Sequence, residues 1–377
     1  MNKIKVLHIH WIGHTGGAER FLRDIMQFFD KDKFEHAICF LAESGLLKEY
    51  CIKFGIPHYS LHMKSGLSLI AGVKLLKILN EFNPDIVHVH TRNYFINILF
   101  MLHPRIKRMY SEHGGSFEPS QDPKEVERYK NFYRTFIKHY QRVLTNAEYL
   151  RSKILEWTGL SADKVKIYNY GIETVRYGNC SQRETFRKSW NVPHGHKVVG
   201  IVGRLVEQKG IDDFIRICHE INCLDQTLFY IIVGDGPLRQ TLENLSRELQ
   251  VKIVFLGDRQ DLPALLTTFD VFVFTSKWEP FGIIILETLA SGVPVVGFKI
   301  PGMQAIIEKG GGAVLVDNRD HKRTAQEVIS LLNDPQKYDL LVKEGRSNVE
   351  NNFEVKRNIS LLEKEYCDIL GAHFKSF

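Results

Sequence analysis

Along most of the chain, short runs of β-branched and aromatic residues alternate with longer stretches whose apolar positions recur at helical spacing. In the first half, the runs at 4–9, 36–41, 85–90, 108–112 and 143–145 predict strands, and those at 17–29, 68–82, 93–102 and 123–140 predict helices. Such alternation builds a parallel sheet covered by helices on both faces, because a parallel crossover needs a helix's length of chain to return. Between 169 and 195 the alternation stops. This segment is polar and carries Gly171, Gly178, Pro193 and Gly195, which predicts a linker. Beyond it the rhythm resumes, with strands at 198–202, 228–233, 252–255, 271–274 and 293–296 and helices at 210–221, 238–249 and 282–290. The pattern predicts an α/β fold of two doubly wound, Rossmann-like domains, 1–175 and 196–353, joined by 176–195. Ligands bind such sheets outside the carboxyl ends of the strands. Chemistry is therefore expected in the carboxyl-edge loops and in the cleft where two such edges face each other.

Composition agrees with this and narrows it. A chain of 377 residues fits two domains of average size, and 44% hydrophobic with 25% charged residues is globular. The six cysteines form no CxxC pair and read as idle thiols of a reducing cytosol. The first ten residues read as a strand, not a signal peptide, and the apolar run 95–102 is far too short to span a membrane. A cytoplasmic protein is expected. Charge is uneven: residues 1–175 hold 25 Lys and Arg against 18 Asp and Glu, while 176–377 hold 25 against 26. The first half thus carries the whole excess, which suits an anionic partner: phosphate, acidic lipid or acidic glycan. No nucleic-acid motif accompanies it.

Five loops at predicted carboxyl edges carry candidate chemistry. The sharpest is 278–287, in which Glu279 and Glu287 lie eight residues apart across a turn and the start of a helix. Eight residues is little more than two turns, so both carboxylates can face one side. Glu279 is placed to accept from sugar hydroxyls. The amides of Phe281, Gly282 and Ile283 open a helix and suit a diphosphate, and Glu287 can accept from both hydroxyls of a ribose diol. In the second, Gly203–Gly210, Arg204 and Lys209 put two cations at the edge, able to neutralise a departing diphosphate. In the third, Gly16 and Gly17 follow the first strand and let backbone approach a phosphate. The fourth places His113 before two glycines at the end of a strand, within reach of a sugar hydroxyl. The fifth comprises the turns at Gly234 and at Gly257–Arg259. Each has a plainer alternative: a capping neighbour, a solvated charge, a structural histidine or an ordinary βα turn.

Taken in this order, the five motifs resemble the retaining GT-B glycosyltransferases of family four. The combination of Glu279–x7–Glu287 with the Gly–Arg–x4–Lys–Gly pattern of Gly203–Gly210 carries the likeness. The resemblance implies a GT-B fold and transfer of a sugar from a UDP- or GDP-sugar to a glycan or lipid-linked acceptor, in polysaccharide or glycolipid assembly. It implies that Arg204 and Lys209 contact the pyrophosphate, Glu279 and the Phe281–Ile283 amides the donor sugar and phosphate, and Glu287 the ribose. His113 would reach the donor sugar, Gly17 a phosphate, and the main chain at Arg259 the base. A final helix from 354 onward would cross back to the first domain. Thr275, Trp278 and the linker 169–173 depart from the family's usual residues without removing a catalytic group.

No cofactor is expected, and no metal. The only DxD, Asp30–Lys31–Asp32, ends a predicted helix away from the edge, and the pairs His8/His10 and His88/His90 lack a further ligand nearby in sequence. No carboxylate is placed as a covalent nucleophile, so front-face displacement is the expected retaining route. An epimerase or phosphorylase on the same fold, or a non-catalytic nucleotide- or carbohydrate-binding protein, are the alternatives. Finally, 123–142 interleaves Lys and Arg with Tyr129, Phe132, Tyr133, Phe136 and Tyr140. It reads either as a face for peripheral contact with an anionic inner membrane or as a packed helix with a wet side.

Overall fold

In the computed structural model, which describes residues 3–11, 17–42, 45–64, 66–114 and 122–371, the alternation folds into two parallel sheets. Two units result, Met1–Gly171 with Val355–Phe377 and Ile172–Glu354.

The first unit has strands β1 (Ile4–His10), β2 (Phe34–Phe40), β3 (His58–Ser60), β4 (Ile86–Val89), β5 (Lys107–Glu112), β6 (Arg142–Thr145) and β7 (Val165–Ile167), in the order β3-β2-β1-β4-β5-β6-β7. Its helices α1 (Gly17–Phe28), α2 (Leu47–Phe54), α3 (Leu69–Phe82), α4 (Tyr94–Met101), α5 (Pro123–Thr135) and α6 (Glu148–Thr158) alternate with them. One face of the sheet is apolar: Leu7, Ile9, Ala37, Cys39, Val87 and Val89 join a single core. The alternate positions on the same strands are histidines, His8, His10, His36, His88 and His90, all buried.

The aromatics of 123–142 belong to the core. α5 ends at Thr135, and Phe132, Tyr133, Phe136 and Tyr140 are buried while Lys124, Arg128, Arg134 and Lys138 face solvent. Helical periodicity separates the two sets, so the basic–aromatic mixture is an amphipathic helix packed on its sheet.

The first α-helix of the second unit is α7 (Arg183–Ser189), inside the stretch read as a linker. Arg183 and Arg187 both bind the buried carboxylate of Asp270, at 2.7 and 2.6 Å, and Phe186 stacks on Trp190. The polarity that suggested a linker is the outward and Asp270-directed side of this helix. There follow β8 (Lys197–Val202), α8 (Ile211–Asn222), β9 (Leu228–Val233), α9 (Arg239–Glu248), β10 (Ile253–Phe255), α10 (Leu262–Leu266), β11 (Val271–Phe274), α11 (Ile283–Ala290), β12 (Val295–Phe298), α12 (Pro301–Ile307), β13 (Ala313–Val316), α13 (His321–Asn333) and α14 (Pro335–Asn352). The strand order is β10-β9-β8-β11-β12-β13. Every residue of β11 and β12 is buried, as expected of strands covered on both faces.

The last helix, α15 (Val355–Leu370), groups with the first unit. Its Glu365 binds Arg142 at 2.6 Å, its Glu363 accepts the Asp30 amide at 2.6 Å, and its Tyr366 is fully buried.

Candidate active site

In the second unit, β8 and β11 are neighbours, but the chain leaves them in opposite directions, toward β9 and toward β12. Their carboxyl-end loops therefore diverge and leave a crevice at the sheet's switch point. The loop after β8 carries Gly203, Arg204 and Lys209; the loop after β11 carries Glu279. Lys209 Nζ forms an ion pair with Glu279 Oε2, both side chains being largely shielded from solvent. Backbone ties hold the loops in register: the Lys277 amide donates to Gln208 O at 2.9 Å, and Gln208 Nε2 to Trp278 O at 3.2 Å. Two glycines allow this fit. Gly210 has φ +60°, and a Cβ there would lie 2.1 Å from Thr275 O; a Cβ on Gly302 would lie 2.2 Å from Glu279 O. Contacts that short exclude any side chain at either position.

Arg204 is exposed and makes no side-chain hydrogen bond or ion pair among the described residues. Its charge stands at the mouth of the crevice without a partner. Phe281 is buried, Gly282 caps α11 with φ +84°, and Ile283 begins the helix. The first amides of α11 have no acceptor four residues back and present a partial positive charge. Glu287 lies further along α11, buried, where its Oε1 accepts the Tyr177 hydroxyl at 2.6 Å.

The carboxyl ends of β8, β9 and β10 are laced together beside this crevice. The Gly203 amide donates to Val233 O at 2.9 Å, the Gly234 amide to Gly257 O at 2.8 Å, and the Asp235 amide to Asp258 Oδ1 at 3.0 Å. Arg259 follows directly, its side chain turned onto Asp261 at 2.9 Å. The second unit thus brings Gly203, Arg204, Lys209, Gly234, Arg259, Glu279, Phe281, Gly282 and Ile283 to one sheet edge, with Glu287 on the helix that starts there.

In the first unit, Gly17 is the first residue of α1, at the carboxyl end of β1; Gly16 lies outside the described residues. His113 follows β5. Its Nδ1 bonds the Tyr170 hydroxyl and its Nε2 meets His90 Nδ1 at 3.0 Å. The chain continues: His90 Nε2 meets His8 Nδ1 at 3.0 Å, and His8 Nε2 meets His36 Nδ1 at 2.8 Å. Among the described residues His36 Nε2 has no hydrogen-bond partner. The arrangement that leaves no buried N–H unmatched protonates every imidazole at Nδ1 and runs the donors from His36 to Tyr170. Beside this row, His88 is held by Tyr366 and Ser111, each at 2.7 Å. Burial drives all five imidazoles toward the neutral form. It lowers His36 to about 3 and, with the charge of His10, His113 to about 3. His8, His88 and His90 fall well below the usual range, chiefly by burial and then by one another's charge.

His8, His88 and His90 are close enough to share one ion. Each of their ring nitrogens is nevertheless already engaged with another side chain, so a metal would have to break this row. His113 is likewise saturated, and it reaches a sugar hydroxyl only by releasing His90 or Tyr170.

Tyr177, Tyr170, His36 and Gly302 escaped the reading of the sequence. Tyr170 and Tyr177 lie in the polar stretch taken for a linker, His36 needs the β1–β2 register to meet His8, and Gly302 carries no local motif.

The family described as "Glycosyltransferase Family 4" matches residues 15–176, and that described as "Glycosyl transferases group 1" matches 182–348. The chain is 24% identical over 323 residues to N-acetyl-alpha-D-glucosaminyl L-malate synthase of Bacillus anthracis, covering 84% of this chain and 83% of that protein. It is 23% identical over 385 residues to the UDP-Gal:alpha-D-GlcNAc-diphosphoundecaprenol alpha-1,3-galactosyltransferase of Escherichia coli, covering 98% of each. In fold it matches Anabaena Alr3699/HepE, solved in complex with UDP and glucose, with a TM-score of 0.79 at 22% identity over 97% of this chain and 100% of that one.

Proposed function

Because the chain belongs to the GT-B glycosyltransferases of family four, we propose that it transfers a hexose-like unit from a UDP- or GDP-sugar to a hydroxyl of a glycan or glycolipid, with retention at the anomeric carbon and without a metal ion. The observation that carries this reading is the Lys209–Glu279 pair at the β8/β11 switch point, with the exposed Arg204 on the same loop as Lys209. The diphosphate of the donor lies against Arg204, Lys209 and the first amides of α11. Glu279 accepts from sugar hydroxyls, Glu287 from the ribose, His113 from or to the donor sugar, and the main chain at Gly203, Gly234 and Arg259 lines the base. Gly16 and Gly17 admit a phosphate at the start of α1.

As the bond from the anomeric carbon to the β-phosphate oxygen breaks, negative charge grows on that oxygen. The two cations and the helix amides stabilise it without reorganising, which is where most of the rate enhancement arises. The acceptor oxygen bonds to the same face of the anomeric carbon, and its proton passes to the leaving phosphate oxygen. Positioning supplies the remainder. The UDP-Gal in the name of the relative from Escherichia coli and the UDP in the Anabaena structure support a nucleotide-sugar donor. The reaction then belongs to polysaccharide or glycolipid assembly in the cytoplasm or at the inner membrane face.

A panel of UDP- and GDP-sugars screened by thermal unfolding tests the donor, since a ligand bound only by the native state raises its stability by mass action. One nucleotide class is expected to raise Tm; a panel without effect overturns the reading. The anomeric configuration of the product, read by NMR, tests retention.

A further inference from the structure

We propose that the face formed by α3 and α4 docks on an anionic lipid bilayer, and that the cavity beside it takes the phosphate of a lipid held there. Only the cavity's ligand rests on the transferase reading.

Large apolar side chains on this face are turned to water. Leu67, Leu69, Ile70 and Val73 are 66–76% exposed, and Ile98 and Leu102 on and after α4 are 50% and 69% exposed. The two helices pack side by side, with Gly72 of α3 against Phe95 and Leu99 of α4. α4, with the sequence YFINILFM, has no charged residue. Scattered exposed leucines need no explanation; a group concentrated on two adjoining helices does.

Charge selects the partner. From 61 to 107 the chain carries Lys64, Lys74, Lys77, Arg92, Arg105 and Lys107 against only Glu81 and Asp85. Glu81 is paired with Lys77, and Asp85 accepts the Lys5 amide at 2.8 Å. Exposed apolar side chains in a stretch whose Lys64, Lys74, Lys77 and Arg105 are also exposed match a bilayer interface with anionic headgroups. The basic helix α5 is a poorer candidate, since its aromatics are spent on the core.

The cavity lies at the N-terminal ends of the same helices. It holds about 640 Å³ and is lined by Trp11, Gly66, Leu67, Arg92, Asn93 and Tyr94 among others, so Leu67 and Tyr94 belong both to it and to the apolar face. Arg92 is stacked over the Tyr129 ring at 3.8 Å, and its Nη1 is buried without a hydrogen-bond partner among the described residues. A buried guanidinium donor without an acceptor is costly, and a phosphate oxygen is the acceptor that guanidinium geometry fits best. An apolar approach leading to a fixed cation is what a lipid phosphate requires.

The test uses the full chain and flotation with vesicles of phosphatidylcholine alone, of phosphatidylcholine with phosphatidylglycerol, and of phosphatidylcholine with phosphatidic acid at matched surface charge. Wild type should float with both anionic vesicles, less so at raised salt, and not with phosphatidylcholine alone. The doubly substituted L69S/I70S chain should lose at least about tenfold in partition, since each side chain forfeits its apolar burial. Both sites are exposed, so an unchanged Tm will show that the variant is folded. Undiminished flotation of L69S/I70S, flotation of wild type with no vesicle, or self-association through this face in sedimentation would overturn the docking surface. Wild type should prefer phosphatidic acid to phosphatidylglycerol, and Arg92→Gln should abolish that preference while still floating. Absence of the preference in wild type would overturn the cavity assignment. A Tm raised by nucleotide-sugar in the same preparation keeps these outcomes separate from the transferase reading.

Discussion

Lowering the pH from 7 to 4 should unfold the first unit while the second keeps its fold. The perturbation acts on His8, His36, His88, His90 and His113, which are neutral in the native sheet and have an ordinary value of 6.5 once released. Their native values are depressed, so below 6.5 the unfolded chain binds protons that the folded chain refuses. The stability they contribute is complete above pH 6.5 and is lost as the pH falls toward the native values, about 3 for His36 and His113. Each histidine that stays neutral in the folded chain costs between about 1 and 2 kcal/mol at pH 5.5 and about 2 kcal/mol at pH 5. Five together cost about 7 and about 10 kcal/mol, comparable with the whole stability of a domain, ~5–15 kcal/mol. The midpoint should therefore lie between about pH 5.5 and 4.5. No described histidine of the second unit is buried, so that unit lacks this term. Far-UV circular dichroism against pH gives the transition, and peptide-resolved hydrogen exchange, corrected for the intrinsic rate, assigns it to a unit. His36→Phe should flatten the stability–pH slope by about 1.4 kcal/mol per pH unit. Persistence of β1 and β4 protection at pH 4, or loss of the second unit first, would refute the argument.

Three further outcomes concern the β8/β11 crevice. Lys209→Ala and Arg204→Ala should each lower kcat by roughly 10²–10³ in a folded protein; wild-type turnover in either would remove the pyrophosphate role. Glu279→Gln should reduce turnover more than nucleotide affinity, whereas Glu287→Gln, which leaves an acceptor for Tyr177, should weaken nucleotide binding itself. Calorimetric titration with UDP and GDP separates these, and equal losses in both variants would reject the assignment. Activity should survive EDTA, because side-chain cations take the place of a metal; loss restored by Mn²⁺ or Mg²⁺ would overturn the metal-free mechanism.

The long strands and the helices between them were legible because burial on both faces leaves near-continuous apolar runs. Of the three-residue strands, β10 was legible at 252–255, but β3 and β7 were not. β3 reads His58–Tyr59–Ser60, with neither an apolar run nor alternation, and exists because β2 offers it an edge. The crevice was legible as loops after strands, since Arg204, Lys209 and Glu279 sit in local motifs. What escaped depends on register and tertiary contact. The histidine row needs β1, β2 and β4 aligned before its members meet, and Tyr177 reaches Glu287 across 110 residues. The basic helix α5 left two readings open because composition mixes the two sides that helical periodicity separates, and the packed helix with a wet side is the one observed.

The placement of α15 has a consequence for how the protein is made. The first unit is interrupted by residues 172–354 and completed by a helix that follows them. During synthesis the second unit emerges whole and is free to fold first. The 183 residues between the two parts of the first unit take roughly 10–40 s to translate at ordinary rates. Through that interval His88 waits for Tyr366, and the part of the imidazole side that α15 covers lies open to water or to a chaperone. The part that begins translation is thus the last to reach its native state.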